Sequence, residues 1–194
     1  MKSERIPVKF FSADNGFIGK MQKLVREEVL PYQYNILNDA IPGIEKSHAI
    51  ENIRLAAEKL RGKDVKPDEF YGMVFQDSDV AKWIEAAAYA LAAGEDPELE
   101  KAVDETIQLY GASQHEDGYV DSYFTVKCPD KMWTNICDAH ELYCAGHMME
   151  AAVAYYEVTG KRELLDIMSK SADCIYEQFM KKNTRAYPGL SLIH

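Results

Sequence analysis

The densest set of chemistry-bearing side chains lies in Asp138-Ala139-His140-Glu141-Leu142-Tyr143-Cys144-Ala145-Gly146-His147-Met148-Met149-Glu150. On a helix, His140, Cys144 and His147 fall at i, i+4 and i+7, one face whose spacing is able to hold a metal ion or a sugar hydroxyl. The alternative is plain packing, with hydrogen-bonded histidines and a small buried thiol in an otherwise apolar helix. His140 stands at the N-terminal end, where a loop opens into a cleft more readily than at mid-helix. It is the strongest functional candidate of the three.

A second group, Phe75-Gln76-Asp77-Ser78-Asp79, precedes the most regular apolar pattern in the chain. Its carboxylates suit the positive end of a helix, so Asp77 and Ser78 are expected as N-cap residues. Phe75 and Gln76 are not needed for capping, which leaves them free to form a wall and a hydrogen-bonding edge of a carbohydrate pocket. A third group, Gln114-His115-Glu116-Asp117-Gly118-Tyr119, makes a turn at Asp117-Gly118 and offers Tyr119 either for stacking on a sugar ring or for packing. Trp133 and Tyr123, expected in the same long loop, would extend such a platform. No phosphate-binding glycine loop, GxSxG elbow or HExxH motif occurs, and Cys144 stands where a zincin would have its second His.

These groups must be positioned by helices. Val80, Trp83, Ile84, Ala87 and Leu91 share one helical face; Gly94 marks its end, and Asp96-Pro97 supplies a cap and first residue for a second helix to about Ser113. The short turn forces the pair antiparallel. Ala151-Ala152-Val153-Ala154-Tyr155, a Thr159-Gly160 stop and Glu163-Leu164 repeat that layout at an offset of about 64 residues. Earlier helices are expected at about Phe17 to Leu37 and Lys46 to Leu60, and His115 to Tyr123 and Asn183 to Gly189 are expected as loops. The fold class is all-α, stacked helical hairpins of a toroid, with about three hairpins in this length.

The chain has 194 residues, 47% apolar and 28% charged, enough for one core. Its 22 Lys and Arg against 32 Asp and Glu give a net charge of -10, which disfavours nucleic acid as a partner. There is no apolar run of membrane-spanning length and no secretory pattern after Met1, so no membrane partner and a cytoplasmic location are expected. Cys128, Cys137, Cys144 and Cys174 lack CxxC spacing and are read as reduced thiols.

The strings Ser47-His48-Ala49-Ile50-Glu51-Asn52, Gly72 to Trp83, Asp117-Gly118-Tyr119, and His140-Glu141-Leu142-Tyr143 with Gly146-His147 resemble, in their order and spacing, the bacterial β-L-arabinofuranosidases of glycoside hydrolase family 127. The resemblance runs from about Gly16 to Gly189. It implies a single partial domain over 1–194, the N-terminal half of an (α/α)6 barrel. It also implies retaining hydrolysis by a zinc-bound cysteine thiolate with a glutamate acid and base. Those catalytic and zinc residues belong to the second half of the family's barrel, so no catalytic residue, metal ligand or cofactor is expected in this chain. Carried over as substrate-binding are His140, from the family's His-Glu-aromatic motif, and Phe75 and Gln76, from a string resembling a wall of the pocket. After Tyr187-Pro188-Gly189 the family continues with a sugar-contacting His followed by acidic residues. Here Leu190-Ser191-Leu192-Ile193-His194 stands instead, and His194 is not that histidine.

The expectation is a glycosidase fragment, inactive alone, whose ligand is an arabinofuranoside-type carbohydrate and whose partner is the missing C-terminal half or a second copy. The alternative is a non-catalytic helical scaffold that binds a carbohydrate or a partner protein.

Overall fold

Helical periodicity in the sequence becomes eight α-helices in the computed structural model, which describes Ala13 and residues 16–182. In chain order they are α1 (Gly16–Leu24), α2 (Leu30–Leu37), α3 (Ala49–Leu60), α4 (Asp77–Ala93), α5 (Pro97–Ala112), α6 (Ser122–Lys127), α7 (Glu141–Thr159) and α8 (Glu163–Tyr176). No strand occurs among the described residues. The expected loop at Asn183 to Gly189 and His194 lie outside them.

The hairpin punctuation expected from the sequence is present. Asp96 accepts a hydrogen bond from Leu99 N–H at 3.1 Å with proline at the next position, which starts α5. Gly160, at φ 74°, ends α7 in the left-handed conformation that glycine adopts without strain. The repeat is equally clear, since α4 and α7 begin 64 residues apart, at Asp77 and Glu141. These two helices run parallel: Phe75 lies against His140 at their N-terminal ends, and Lys82 reaches Tyr143 one turn further on. Their interface is rich in alanine, with Ala81, Ala87 and Ala88 facing the same core as Ala145, Ala151 and Ala152 around Ile84 and Met148. Small side chains let two helices approach closely, and the burial of this face supplies the main driving force. Tyr155 Oη donates to Asp104 across to α5, while Gln114 of the loop after α5 donates to Ile167 O of α8.

Three boundaries differ from expectation. The Phe17 to Leu37 helix is interrupted by a π-helical turn at Val25–Val29, a one-residue widening that periodicity does not reveal. The Lys46 to Leu60 helix begins only at Ala49, because His48 at φ 55° is left-handed and cannot continue the helix backwards. The segment read as a loop around Tyr123 contains α6, too short for its apolar spacing to stand out. Among the described residues no helix is long and apolar enough to cross a membrane.

Candidate functional site

The N-terminal ends of α4 and α7 bring the sequence candidates together. Phe75 and His140 stack at a tilt, ring centres 5.3 Å apart, and Tyr143 stands edge-on to both His140 and His147 at 5.5 and 4.5 Å. His140 precedes α7 in a left-handed conformation, φ 59°, and its Nδ1 lies 2.7 Å from Asp138 O. That contact makes Nδ1 the donor in the neutral ring and leaves Nε2 as the free acceptor. Gln76 occupies the N-cap position of α4, and its side chain bends back: Oε1 accepts from Met73 N–H at 2.9 Å and Nε2 donates to Ser47 Oγ at 3.2 Å. Phe75, Gln76 and His140 are all half-buried, ordered by neighbours and still reachable.

His140, Cys144 and His147 do not form a ligand set. His140 sits before the helix, His147 pairs with Glu150 at 3.3 Å, and Cys144 is buried inward, where desolvation drives its thiol far above the usual range. Among the described residues no cluster of three or more His, Cys, Asp or Glu side chains could hold a metal ion. Cys174 is also shielded, its thiol pushed up to about 11 by burial.

Asp77 and Ser78 do not cap α4. Both lie inside the helix and are buried, and the Asp77 carboxylate accepts from the backbone N–H and hydroxyl of Ser122, 45 residues away. Glu141, at the matching first position of α7, is likewise buried, accepting from Tyr119 Oη at 2.7 Å and Trp133 N–H at 3.0 Å. α4 and α7 thus each start with a carboxylate that anchors the loop beside it. The platform reading of the aromatics is corrected accordingly. Tyr119 is only 3% exposed and packs edge-on against Trp133, whereas Tyr123 belongs to α6 and packs against Phe70.

Asp121 completes this buried acidic set and was invisible as a candidate in the sequence. One carboxylate oxygen caps α6 by accepting from Phe124 N–H, and the other is buried without a hydrogen-bond partner among the described residues. Burial first, then the Asp77 charge, push its pKa far above the usual carboxylate range; burial also raises Asp77 and Glu141. The native state therefore holds a proton that the unfolded chain releases above about pH 4. Native protein binding more protons means that stability falls as pH rises from that point, by about 1.4 kcal/mol per pH unit for one proton. Asp121→Asn, neutral at every pH, is expected to flatten that slope, read as urea midpoints between about pH 4 and 7. Parallel slopes for the two proteins would contradict it.

Residues 12–189 match the family model described as β-L-arabinofuranosidase, GH127 catalytic domain. A non-reducing end β-L-arabinofuranosidase of Bifidobacterium longum subsp. longum is 42% identical over 171 residues, 79% of this chain and 25% of the relative. The crystal structure of a GH127 β-L-arabinofuranosidase from Geobacillus stearothermophilus T6 superposes with a TM-score of 0.78 at 56% identity, covering 83% of this chain and 24% of that one. A second GH127 β-arabinofuranosidase structure gives 0.74 at 30% identity, over 88% of this chain and 26% of that one. The chain thus spans about a quarter of the length of the relatives it matches. With the family model covering most of its length, and with helical hairpins like those of these α/α-barrel relatives, this chain belongs to the GH127 β-L-arabinofuranosidase catalytic-domain family.

Proposed function

We propose that this chain supplies one wall of an arabinofuranose site in a β-L-arabinofuranosidase, the site's hydrolytic groups coming from the part of the family's length that the chain does not span. The carrying observation is the cluster at the N-terminal ends of α4 and α7, where the Phe75 and His140 rings stand 5.3 Å apart, both half-buried like Gln76. An aromatic wall with a few fixed polar groups is the usual chemistry of a sugar pocket. His140 Nε2 accepts a hydroxyl proton of the sugar, the Gln76 amide adds a second polar contact, and Phe75 packs on the apolar face of the ring.

In this reading the hydrolytic groups are not those of α7. Cys144 is buried as a neutral thiol, and Glu141 spends its carboxylate on Tyr119 and Trp133. The purified 194-residue chain is therefore expected to release no arabinose from an aryl β-L-arabinofuranoside. It is expected to gain activity when mixed with the remainder of a family member's catalytic domain. Release by the chain alone would overturn the division of labour, and silence of the mixture would remove the partner half.

A second reading is favoured by a separate feature. Phe17 and Ile18 of α1 are 72% and 60% exposed, and an apolar groove of about 830 Å³ runs between α1 and α4, lined by Ile18, Met21, Val25, Ala86, Ala90 and Ala93. Surface of this kind suits a protein partner, either the rest of a barrel or a second copy. A clean monomer by sedimentation at high concentration would count against a scaffold that self-associates.

A further inference from the structure

Two helix faces have no covering partner among the described residues. α4 packs against α2 and against α7, and the open faces belong to the helices at either end of that row. α1, which leads into α2, has no buried residue, and its Phe17, Met21 and Leu24, spaced by four and three, are all exposed. The outward face of α7 carries Leu142, Gly146, Met149, Val153 and Tyr156 with the same alternation of four and three, the first three half-buried and the last two exposed. Apolar stripes of that spacing form the seam of a helix pair. Gly146 supports a missing neighbour independently. A Cβ built there meets nothing within 4 Å, so nothing in the described structure requires a glycine at a helix-interior position where alanine is more favourable. A bare backbone at mid-stripe suits the close approach of another helix.

We infer that a second copy of this chain covers both faces, the α1 stripe of each copy lying on the α7 stripe of the other, so that two half-toroids close one ring about a two-fold axis. The inference rests on the second reading above, that the exposed apolar surface takes a protein partner, and extends it by naming the partner and the two faces that meet. Charge selects the pairing. α1 carries Lys20 and Lys23 and no acid, whereas the α7 stripe is flanked by the exposed Glu150 and Glu157. Laying either stripe on its own copy sets lysines against lysines or glutamates against glutamates; laying α1 on α7 sets unlike charges together. In a chain of net charge -10, where copies repel at long range, that contact is the one electrostatics favours. One face on a different face makes an open filament unless the rotation between copies closes. About half the hairpins of an (α/α)6 barrel are present, so each copy fills a half-turn and two copies complete the ring.

The test is sedimentation equilibrium of the 194-residue chain. The parent is expected to be a dimer, and Leu24→Glu in α1 and Val153→Glu in α7, both at exposed positions, are each expected to weaken it about tenfold or more. Gly146→Leu, which meets nothing in its own chain, is expected to keep the helix content and weaken the dimer similarly. Leu24→Glu and Val153→Glu mixed in equal amounts are expected to associate more tightly than either alone, because the unaltered α7 of one still meets the unaltered α1 of the other. That recovery also shows both variants to be folded. A parent that stays monomeric at about 0.5 mM overturns the ring and the self-association reading together. A dimer that survives Val153→Glu is held by α1 alone, which overturns the ring and leaves self-association standing. So does a mixture no more associated than its components, or a parent that grows past the dimer into filaments.

Discussion

Glu141→Ala is expected to cost about 3–5 kcal/mol of stability and to abolish order around His140. Glu141 is 3% exposed, and its carboxylate receives Trp133 N–H from the segment before α7 and Tyr119 Oη from the segment before α6. Removing it strands one buried and one part-buried donor, each costing about 1–3 kcal/mol, and leaves a cavity between helix and loop. It also frees the backbone at Trp133 and His140, which hold φ 63° and 59°, conformations that non-glycine residues keep only where the surroundings enforce them. His140 would then lose its alignment with Phe75. Glu141→Gln keeps an acceptor of the same shape and should retain most of the stability. Urea denaturation of both variants checks this, and a Glu141→Ala midpoint close to the parent's would contradict the anchoring role.

Gly118→Ala should be comparably severe for a different reason. Gly118 sits at φ 94°, and a Cβ placed there would lie 2.3 Å from the carbonyl oxygen of Lys170 in α8, a backbone atom that cannot turn away. The turn is held on every side: Gly118 N–H donates to His115 O, Tyr119 N–H to Asp117, and Gln114 Nε2 bridges Gly118 O and Ile167 O. Strain at a positive φ adds about 1–2 kcal/mol to the cost of pushing α8 outward. A total of about 4 kcal/mol corresponds to a fall of about 10 °C in melting temperature for a chain of this size. A change of less than about 2 °C would mean that α8 moves freely over this loop.

These two positions show why the helical frame was more legible than the site. Gly94, Asp96-Pro97 and Gly160 act on their own neighbours, and the apolar stripes of α4 and α7 repeat within a few turns, so the hairpins could be read locally. Asp77 was read as a cap because an acid before an apolar run looks the same whether it caps its own helix or holds Ser122 45 residues away. For Tyr119 the sequence leaves stacking on a sugar and packing open, because the partner that decides it, Glu141, lies 22 residues away. The left-handed backbone at His48 and His140 carries no mark in residue type, unlike the same conformation at Gly118 or Gly160. Residue type and position single out Phe75, Gln76 and His140, and the resemblance adds that they bind an arabinofuranose. The structure gathers those three at the ends of two parallel helices.

The central claim is that this gathering recognises an arabinofuranose ring, and it is tested most directly by nuclear magnetic resonance of the His140 imidazole during titration with methyl β-L-arabinofuranoside. The account predicts saturable shifts of the His140 ring protons, absent with methyl β-D-glucopyranoside and lost in Phe75→Ala. Unchanged His140 signals up to about 50 mM sugar, where even weak millimolar binding would register, would contradict it.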